Sequence, residues 1–249
     1  MKRCFLISII LFLLTLPNLF AQGMITDRPD FTESAVAISA KSIQIESGVL
    51  FSNSDPVSEF TYPTALARVG LGHNMEVRIG FNGWSKISLN DASETYLNDL
   101  LLEAKYQLMA DDADIPAAIL LVANLPTGDD EVSVEAAEIG LKLATGFDIN
   151  NNLSLGINLG AISVEIASER EISSLASFSL GIGVHDKLGV FIETYAEMPQ
   201  NASWQPVLDG GFTWLLSPAV QLDFYVGKGL NDHAADFLIG GGASFLLNY

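Results

Sequence analysis

The sequence predicts an all-β protein, a single antiparallel up-and-down transmembrane β-barrel of about twelve strands with a polar lumen. Apolar and polar residues alternate with period two along most of residues 42–249, without an amphipathic helix pattern. Short and long connections alternate between these strands. The chain is 49% hydrophobic, yet its one long apolar run lies near the N-terminus. Hydrophobicity is therefore spread along the chain, as a lipid-facing barrel requires.

The N-terminus has the pattern of an export signal. Lys2 and Arg3 precede an apolar run from Cys4 to Leu16, and Ala21 is a small residue at a cleavage point. The run is shorter than the roughly 18 apolar residues that a membrane helix needs, although an uncleaved anchor helix is the alternative. We expect residues 1–21 to be a signal peptide cleaved near Ala21. The protein is then destined for the outer membrane of a Gram-negative-type bacterium.

Charge and cysteine content exclude several classes of function. The formal net charge is −18, and removal of Lys2 and Arg3 with the signal makes it −20. Such acidity argues against nucleic acid as a partner, because phosphate binding needs a positive surface. The one cysteine, Cys4, lies in the predicted signal. The chain that follows Ala21 therefore has no disulfide and no thiol chemistry.

Residues 22–41 precede the first predicted strand and contain the polar stretch ITDRPDFTES at 25–34. Proline has no amide hydrogen, so Pro29 excludes this stretch from a central strand position. We expect a periplasmic segment that folds into the barrel mouth as a plug or gate and pairs with lumen charges. A disordered leader, which is common at chain ends, is the alternative. The residues predicted to act in the plug are Asp27, Arg28, Pro29, Asp30 and Glu33.

Twelve strands are predicted in the barrel, residues 42–249, an even number as single-chain bacterial barrels require. The last one alternates to the final residue, and in a closed barrel it has to pair with the first. Phe245, Leu247 and Tyr249 share one face of that strand. The predicted strands are 42–52, 59–72, 75–86, 97–109, 115–125, 138–149, 152–165, 172–185, 187–198, 204–217, 219–229 and 235–249.

The connections predict the orientation of the barrel. Outer-membrane barrels have short periplasmic turns and longer outer loops. With a periplasmic N-terminus, the long connections lie outside and the C-terminus returns to the periplasm. The short set is 72–74, 110–114, 150–152, 185–187 and 217–218, and the long set is 53–58, 87–96, 126–137, 166–171, 199–203 and 230–234.

Alternation also assigns the two faces of each strand. An Arg or Lys that faces lipid at mid-bilayer costs about 2 to 4 kcal/mol, so the charged faces point into the lumen. Two interpretations follow: a charge-lined permeation path, or charges that pair across strands and fill a narrow interior. The predicted lumen-lining residues are Glu46, Arg68, Glu76, Arg78, Glu103, Lys105, Glu138, Lys142, Glu193 and Asp223.

One strand breaks the two-faced pattern. Residues 117–125, AAILLVANL, are apolar on both faces. An apolar inner face is unfavourable in a polar, water-filled lumen, because apolar surface gains free energy only when it is removed from water. We therefore expect this strand to pack against something inside the barrel, or against a partner.

No catalytic, cofactor-binding or metal-binding residue is predicted, and we expect a protein that is not an enzyme. His73, His185 and His233 fall in turns or loops, away from a serine on a lipid-facing strand. The sequence has no GxSxG, HExxH or phosphate-loop motif. The acidic cluster at 128–131 lacks the spacing of a calcium loop, so we interpret it as solvated surface.

Several motifs resemble a known family. They are TDRPDFTES, EFTYPTALARVGLGHNMEVRIGFNGW, ANLPTGDD and GLNDHAADFLIGGGASF, and they are similar to the transporter family linked to the MetA pathway of phenol degradation. The resemblance covers nearly all of the chain after the signal and implies an outer-membrane β-barrel that passes small, aromatic molecules. The chain departs from the family in its last residues, LLNY, where members close with a basic residue and Phe. Phe245, Leu247 and Tyr249 still look like the end signal read by the barrel-assembly machinery.

Together these features favour an outer-membrane channel or transporter for small aromatic or hydrophobic solutes. Its expected partners are outer-membrane lipid, the barrel-assembly machinery and a small-molecule solute, with no cofactor. A structural barrel without a transport role is one alternative. A soluble periplasmic β-barrel that binds a hydrophobic ligand is another, and it requires apolar inner faces and polar outer faces.

Overall fold

The computed structural model describes residues 24–90, 92–109, 113 and 115–249. The predicted signal peptide at 1–21 and most of the predicted turn at 110–114 lie outside these residues, so both stay predictions. Within the described ranges, no helix is long and apolar enough to cross a membrane.

Fourteen strand segments make up the described fold, and antiparallel pairing joins all of them into one sheet. In chain order they are β1 (Ser42–Ser54), β2 (Val57–Gly72), β3 (Met75–Phe81), β4 (Trp84–Leu89), β5 (Ala92–Leu97), β6 (Leu100–Gln107), β7 (Ala117–Leu125), β8 (Glu138–Asn150), β9 (Leu153–Ile166), β10 (Glu169–His185), β11 (Leu188–Pro199), β12 (Gln205–Ser217), β13 (Val220–Gly229) and β14 (Phe237–Asn248).

Two pairs of these segments are single strands with a short interruption. Phe81 of β3 faces Ala65 of β2, and Trp84 of β4 faces Tyr62 in the same register. The same continuity joins β5 to β6, because Leu97 faces Trp84 and Leu100 faces Phe81. The fold is therefore a closed antiparallel barrel of twelve strands, which confirms the prediction.

The barrel closes where the first strand meets the last. β1 pairs with β2 on one side and with β14 on the other, in a register that runs from Ser42 opposite Asn248 to Asn53 opposite Phe237. At this seam β1 has a partner strand on each side, as a strand structure inside lipid requires. The wall is complete without any contribution from residues 24–41.

Three of the connections that were predicted as long loops are short hairpins. β1 and β2 are joined by Asp55 and Pro56 alone, and β9 and β10 by Ala167 and Ser168. Ala167 and Ser168 have φ of 50° and 64°, as a tight hairpin turn of primed type requires. Most of 87–96 belongs to the β4–β5 hairpin. Polar residues predominate in these stretches and interrupt the period-two pattern, so alternation did not reveal them.

The outer and inner faces of the wall differ sharply in chemistry. Leucine and isoleucine side chains on the outer face are exposed, among them Leu121, Leu141 and Ile192. Arg68, Arg78 and Lys105 point inward and are fully buried. A soluble barrel with an apolar interior requires the reverse, so that alternative is wrong. Exposed tryptophans lie near both ends of the wall, with Trp84 and Trp204 at the outer end and Trp214 at the periplasmic end, as in membrane-interface girdles.

The depth of an outward-facing residue should set the cost of placing a charge there. Leu121 at the centre of β7 and Leu71 at the periplasmic end of β2 are both 51% exposed. We expect Leu121→Arg to lower the free energy of unfolding by about 2 to 4 kcal/mol and Leu71→Arg by at most about 1 kcal/mol. Denaturant unfolding in lipid vesicles measures both. Equal losses at the two depths would contradict a lipid-facing outer surface.

Candidate functional site

Residues 24–41, hereafter the lumen segment, lie inside the barrel and belong to no strand. An extended segment without a ladder partner has to satisfy its backbone amides in another way, and here inward-facing side chains accept them. The backbone amides of Asp27 and Arg28 donate to Glu46, those of Phe31 and Thr32 to Glu193, that of Glu33 to Asn158, that of Ala37 to Gln107 and that of Ile38 to Glu76. The N–O distances are 2.6 to 3.3 Å.

Two carboxylates of the lumen segment meet the buried cations of the wall. Asp27 Oδ2 lies 3.0 Å from Arg68 Nη1 and also pairs with Arg78. Glu33 pairs with Arg78 through one oxygen and lies 2.6 Å from Lys142 Nζ through the other. The segment therefore supplies counter-charges to a basic region built by β2, β3 and β8.

Wall carboxylates complete the same ion-pair network. Arg68 lies 3.0 Å from Glu46 and 3.0 Å from Glu76. Arg78 also pairs with Glu76 and lies 3.1 Å from Glu103 Oε2. Buried ions are tolerated only with partners and additional hydrogen bonds, because leaving water costs each one several kcal/mol. Arg78 is the hub, since it contacts two carboxylates of the segment and two of the wall.

These ion pairs lower the pKa of both carboxylates, Asp27 and Glu33. Burial alone would raise the pKa of Glu33, but Lys142 and Arg78 outweigh it and hold the pKa at about 2. Burial likewise opposes ionisation of Asp27, and Arg68, Arg78 and Lys105 outweigh it, so the pKa of Asp27 is far below its usual range. Both groups are ionised at any physiological pH, and the network on this side of the lumen is permanently charged.

A single cation of the segment reaches the opposite wall. The Arg28 guanidinium bonds to both carboxylate oxygens of Asp223 on β13, at 2.9 and 3.2 Å. Its path crosses the seam between β1 and β14. A Cβ on Gly242 would come within 2.7 Å of Arg28 Nε, and one on Gly48 would also collide with the guanidinium. Glycine at these two seam positions therefore makes room for the Arg28 side chain.

The remaining carboxylate of the segment points to an acidic region. Asp30 Oδ2 accepts a hydrogen bond from the Ser179 hydroxyl at 2.9 Å. Burial, and then repulsion by Glu193 and Asp209, raise the pKa of Asp30 to about 8. Among the described residues, none of these three carboxylates has a cation within ion-pair distance. The lumen is thus divided into a paired basic side and an unpaired acidic side.

Apolar contacts also hold the lumen segment. Ala35 packs against Leu120 and Val122 of β7 and against Ala144 of β8. The unusual inner face of residues 117–125 therefore packs against something inside the barrel, as one of the two sequence interpretations expected. The Phe31 ring stacks on Tyr195 of β11, with centroids 4.2 Å apart and planes 6° from parallel.

The lumen segment leaves part of the barrel interior open. A cavity of about 460 Å³ opens toward the periplasm between Met24–Arg28 and the turns that follow β8 and β10. At the outer end, Ala234 from the 230–236 connection packs on Val207 and Leu238 over the lumen. The lumen segment therefore occupies part of the barrel interior and leaves a cavity beside its N-terminal residues.

The outer loop at 126–137 is organised by one carboxylate that sequence reasoning missed. Asp99, between β5 and β6, accepts hydrogen bonds from the backbone of Thr127, Gly128 and Val134 and from the Ser133 hydroxyl, each at 2.8 Å. Burial opposes ionisation, but these donors outweigh it and lower the pKa of Asp99. Asp129 of the acidic 128–131 cluster bonds to Leu97 through backbone and side chain. Among the described residues, no group of three or more acidic, histidine or cysteine side chains is arranged to hold a metal ion.

The structure places the predicted lumen residues on the inner face. Glu138 lies at the outer end of β8, where it bonds to Asn124, and Lys142 is partly exposed. The other eight are buried: Glu46, Arg68, Glu76, Arg78, Glu103, Lys105, Glu193 and Asp223. Asp27, Arg28, Asp30 and Glu33 each bond to one or more wall residues, whereas Pro29 carries no polar contact of its own. Asp209, Asn158 and Ser179 also line the site and were missed; their position on the inward parity of β12, β9 and β10 was the available signal.

Comparisons with known proteins agree with this architecture. A family model described as "Putative MetA-pathway of phenol degradation" matches residues 26–247. No curated protein matches the chain in sequence. The solved structures that resemble it include the COG4313 outer membrane channel from Pseudomonas putida F1, at 12% identity and a TM-score of 0.65 over 89% of this chain and 100% of that one. The NanC porin is 10% identical, with a TM-score of 0.59 over 82% of this chain and 98% of that one. The KdgM porin is 6% identical, with a TM-score of 0.58 over 81% of this chain and 98% of that one. At these identities the likeness concerns the fold alone.

The network around Arg78 should matter far more to stability than a rim ion pair. Arg78→Met leaves buried carboxylates without their main partner, so we expect it to lower the free energy of unfolding by about 3 to 5 kcal/mol. Arg170 pairs with Glu165 at the outer rim and is 48% exposed in its side chain. The matched substitution Arg170→Met should cost at most about 1 kcal/mol. Denaturant unfolding in lipid vesicles compares the two, and similar losses would contradict the hub assignment.

Proposed function

The chain belongs to the MetA-pathway phenol-degradation family, and from that premise we propose that it is an outer-membrane channel for small aromatic or hydrophobic solutes, closed at rest by the lumen segment. One observation carries the proposal: the lumen contains a segment that is not part of its wall. The described solved structures are named as outer-membrane channels and porins, which supports the same class of function. We assign no catalytic role, since His73, His185 and His233 all lie in turns or at strand ends.

The segment is attached in a way that permits release. The ladder of β1 with β2 and β14 closes the barrel without it. Its contacts are mostly hydrogen bonds and ion pairs, and water that enters the lumen can take the place of the lost partners. The apolar anchors on the described segment are few, chiefly Ala35 against β7 and Phe31 against Tyr195. Removal therefore exposes a lumen that is polar apart from the inner face of β7, and it leaves the wall intact.

Release would produce a path with mixed chemistry. The inner wall would present Arg68, Arg78 and Lys105 on one side and carboxylates on the other. The ring of Tyr195, now covered by Phe31, would offer an aromatic surface at mid-lumen. The cavity of about 460 Å³ below the segment already opens toward the periplasm. Small solutes with an aromatic body fit a passage of this kind better than long polymers do.

Location and biogenesis belong to the same proposal. The protein is exported with its signal peptide removed near Ala21 and resides in the outer membrane. Leu247 and Tyr249 are exposed at the periplasmic end of β14, with Phe245 on the same face. This arrangement supports recognition of the three residues by the barrel-assembly machinery.

A structural barrel without transport is the second candidate. The density of buried ion pairs between the segment and the wall favours it, because each pair has to be broken for the lumen to open. The two candidates differ in one respect that can be measured, which is whether the segment controls conductance.

Removal and covalent fixation of the segment should have opposite effects. Deletion of residues 22–38 should raise planar-bilayer conductance, because it empties the lumen. Thr32 Oγ1 lies 2.7 Å from Ser177 Oγ, so Thr32→Cys with Ser177→Cys places two thiols within disulfide reach. The oxidised double variant should conduct less than the wild type, and reduction should restore the wild-type value.

The single variants Thr32→Cys and Ser177→Cys serve as controls, because neither can form the crosslink. Each should be insensitive to reductant. A deletion variant with the conductance of the wild type would favour the structural barrel. Uptake of phenolic solutes into vesicles that carry the wild type, the deletion variant or no protein then tests the solute class.

The seating of the segment should depend on pH through Asp30. A carboxylate in solvent has a pKa near 4, whereas seating raises the pKa of Asp30 to about 8. The seated state therefore binds the extra proton between about pH 4 and 8, and seating weakens as the pH rises through that window. Ser179, Glu193 and Asp209 face Asp30 from β10, β11 and β12, while Asp27 and Glu33 stay ionised throughout. We expect the open fraction to rise from pH 5 to pH 8.

Asp30→Asn cannot titrate and should lose most of that rise. Single-channel recording at fixed ionic strength gives the open fraction for both proteins. Glu135→Gln is a suitable control, because Glu135 is exposed in an outer loop and bonds to the backbone of Ala167 and Ser168. An unchanged pH profile in Asp30→Asn would show that another group sets the response.

A further inference from the structure

The acidic side of the lumen combines carboxylates that nothing nearby neutralises. Glu193 on β11 and Asp209 on β12 lie directly opposite each other in the strand register, where like charges destabilise a sheet. Glu193 is 1% exposed and Asp209 is 6% exposed. Arg28 of the lumen segment is bound to Asp223 on β13, the strand next to β12. Among the described residues, the pair has no counter-charge.

The two carboxylates differ in their hydrogen-bond partners. The lumen segment satisfies Glu193, through the amides of Phe31 and Thr32 and the Thr32 hydroxyl. Asp209 Oδ1 is buried and accepts no hydrogen bond. A buried acceptor that is left without a donor costs free energy, so an unpaired carboxylate at such a place calls for an explanation. It is directed into the lumen, at the level where the segment binds Glu193.

Aromatic side chains border this pair. Tyr195 lies two residues beyond Glu193 on the same face of β11, and its ring is covered by Phe31. Tyr225 lies on β13, and both it and Tyr195 pack against the buried cluster that includes Val207 and Leu238. An aromatic ring beside a carboxylate pair suits a ligand that has both an aryl group and an ammonium group, since aromatic rings stack on one another and carboxylates accept N–H donors.

We propose that Glu193, Asp209 and Tyr195 form a binding subsite for an arylalkyl ammonium ion, which takes the place of Phe31 and Thr32 of the lumen segment. The aromatic ring of the ligand stacks on Tyr195 where Phe31 now lies. Its ammonium group donates to Glu193 and to the unpaired Asp209. The inference rests on the proposed function in one respect, because the ligand reaches the subsite when the segment moves.

Charge selects this ligand class over its neutral and acidic analogues. When the segment leaves, Arg28 leaves with it, and Asp223 becomes a third wall carboxylate without its partner. Adjacent strands β11, β12 and β13 then carry three negative charges, which repel a carboxylate. A neutral alcohol donates one hydrogen bond and leaves the charges uncompensated. An ammonium ion has three donors and a positive charge.

The test uses the full-length protein in detergent micelles and three probes with one carbon frame: 2-phenylethylammonium, 2-phenylethanol and phenylacetate. Isothermal titration calorimetry should show binding of the ammonium probe alone. Asp209→Asn should weaken that binding about tenfold or more, the usual loss for one charged hydrogen bond. Equal binding of all three probes, or wild-type affinity in Asp209→Asn, would overturn the subsite.

Glu138→Gln is the matched control, because it removes one inward-facing carboxylate from β8, on a distant part of the wall, and should leave the affinity unchanged. Heat-modifiable migration on gels verifies that each variant is folded. A loss of affinity in Glu138→Gln equal to that in Asp209→Asn would reduce the effect to net charge and would overturn the subsite.

Deletion of residues 22–38 separates this inference from the channel proposal. The deletion removes the competing segment, so the ammonium probe should bind more tightly than to the wild type. Weaker binding would overturn the subsite even if the deletion raises conductance. Conversely, Asp209-dependent binding together with unchanged conductance would support the subsite and contradict control of the channel by the segment.

Discussion

The pairing of four cations inside the lumen is the constraint on which the rest of the structure depends. Arg68, Arg78 and Lys105 are fully buried, and Lys142 is partly exposed. Lipid surrounds the wall and the segment excludes bulk water, so each charge needs a partner within the barrel. Glu46, Glu76 and Glu103 provide part of the compensation, and Asp27 and Glu33 of the lumen segment provide the rest. This pairing sets the orientation of the segment, because Asp27 and Glu33 both have to reach the basic side of the lumen.

The wall explains why most of the architecture could be predicted from sequence. Lipid on one side and charge on the other impose strict alternation, so parity alone places Arg78 inward and Ile79 outward. The same reasoning fails where lipid is absent. Residues 87–96, which form most of the β4–β5 hairpin, were predicted as a loop because polar residues predominate there. The interruption between β3 and β4 includes Gly83, where φ is +80°.

The partners of the lumen segment could not be predicted in detail. Arg78 meets Asp27, which lies 51 residues earlier in the chain, and no local pattern encodes a contact of that range. The prediction of a plug rested on the polarity of the segment and on Pro29. These features exclude a central strand, but they do not identify contact partners. Asp209 was missed for a related reason: its inward neighbours on β12, Val207 and Gly211, are not polar, so the strand lacked a charged face.

The charge balance shows why such a segment is held and yet releasable. The buried wall carries four cations against the six carboxylates Glu46, Glu76, Glu103, Glu193, Asp209 and Asp223, so it is negative overall. Between Asp27 and Glu33 the segment has three carboxylates and one arginine, so it is negative as well. Two bodies of like net charge are joined only because their local pairs are well placed, and screening by salt or loss of one pair shifts that balance. Asp30 sharpens the point, since it faces Glu193 and Asp209 without a cation, and its protonation brings the net charge of the segment closer to zero. The closed state is therefore a balance between local attraction on the basic side and repulsion on the acidic side, and a cation that binds the acidic side changes it most.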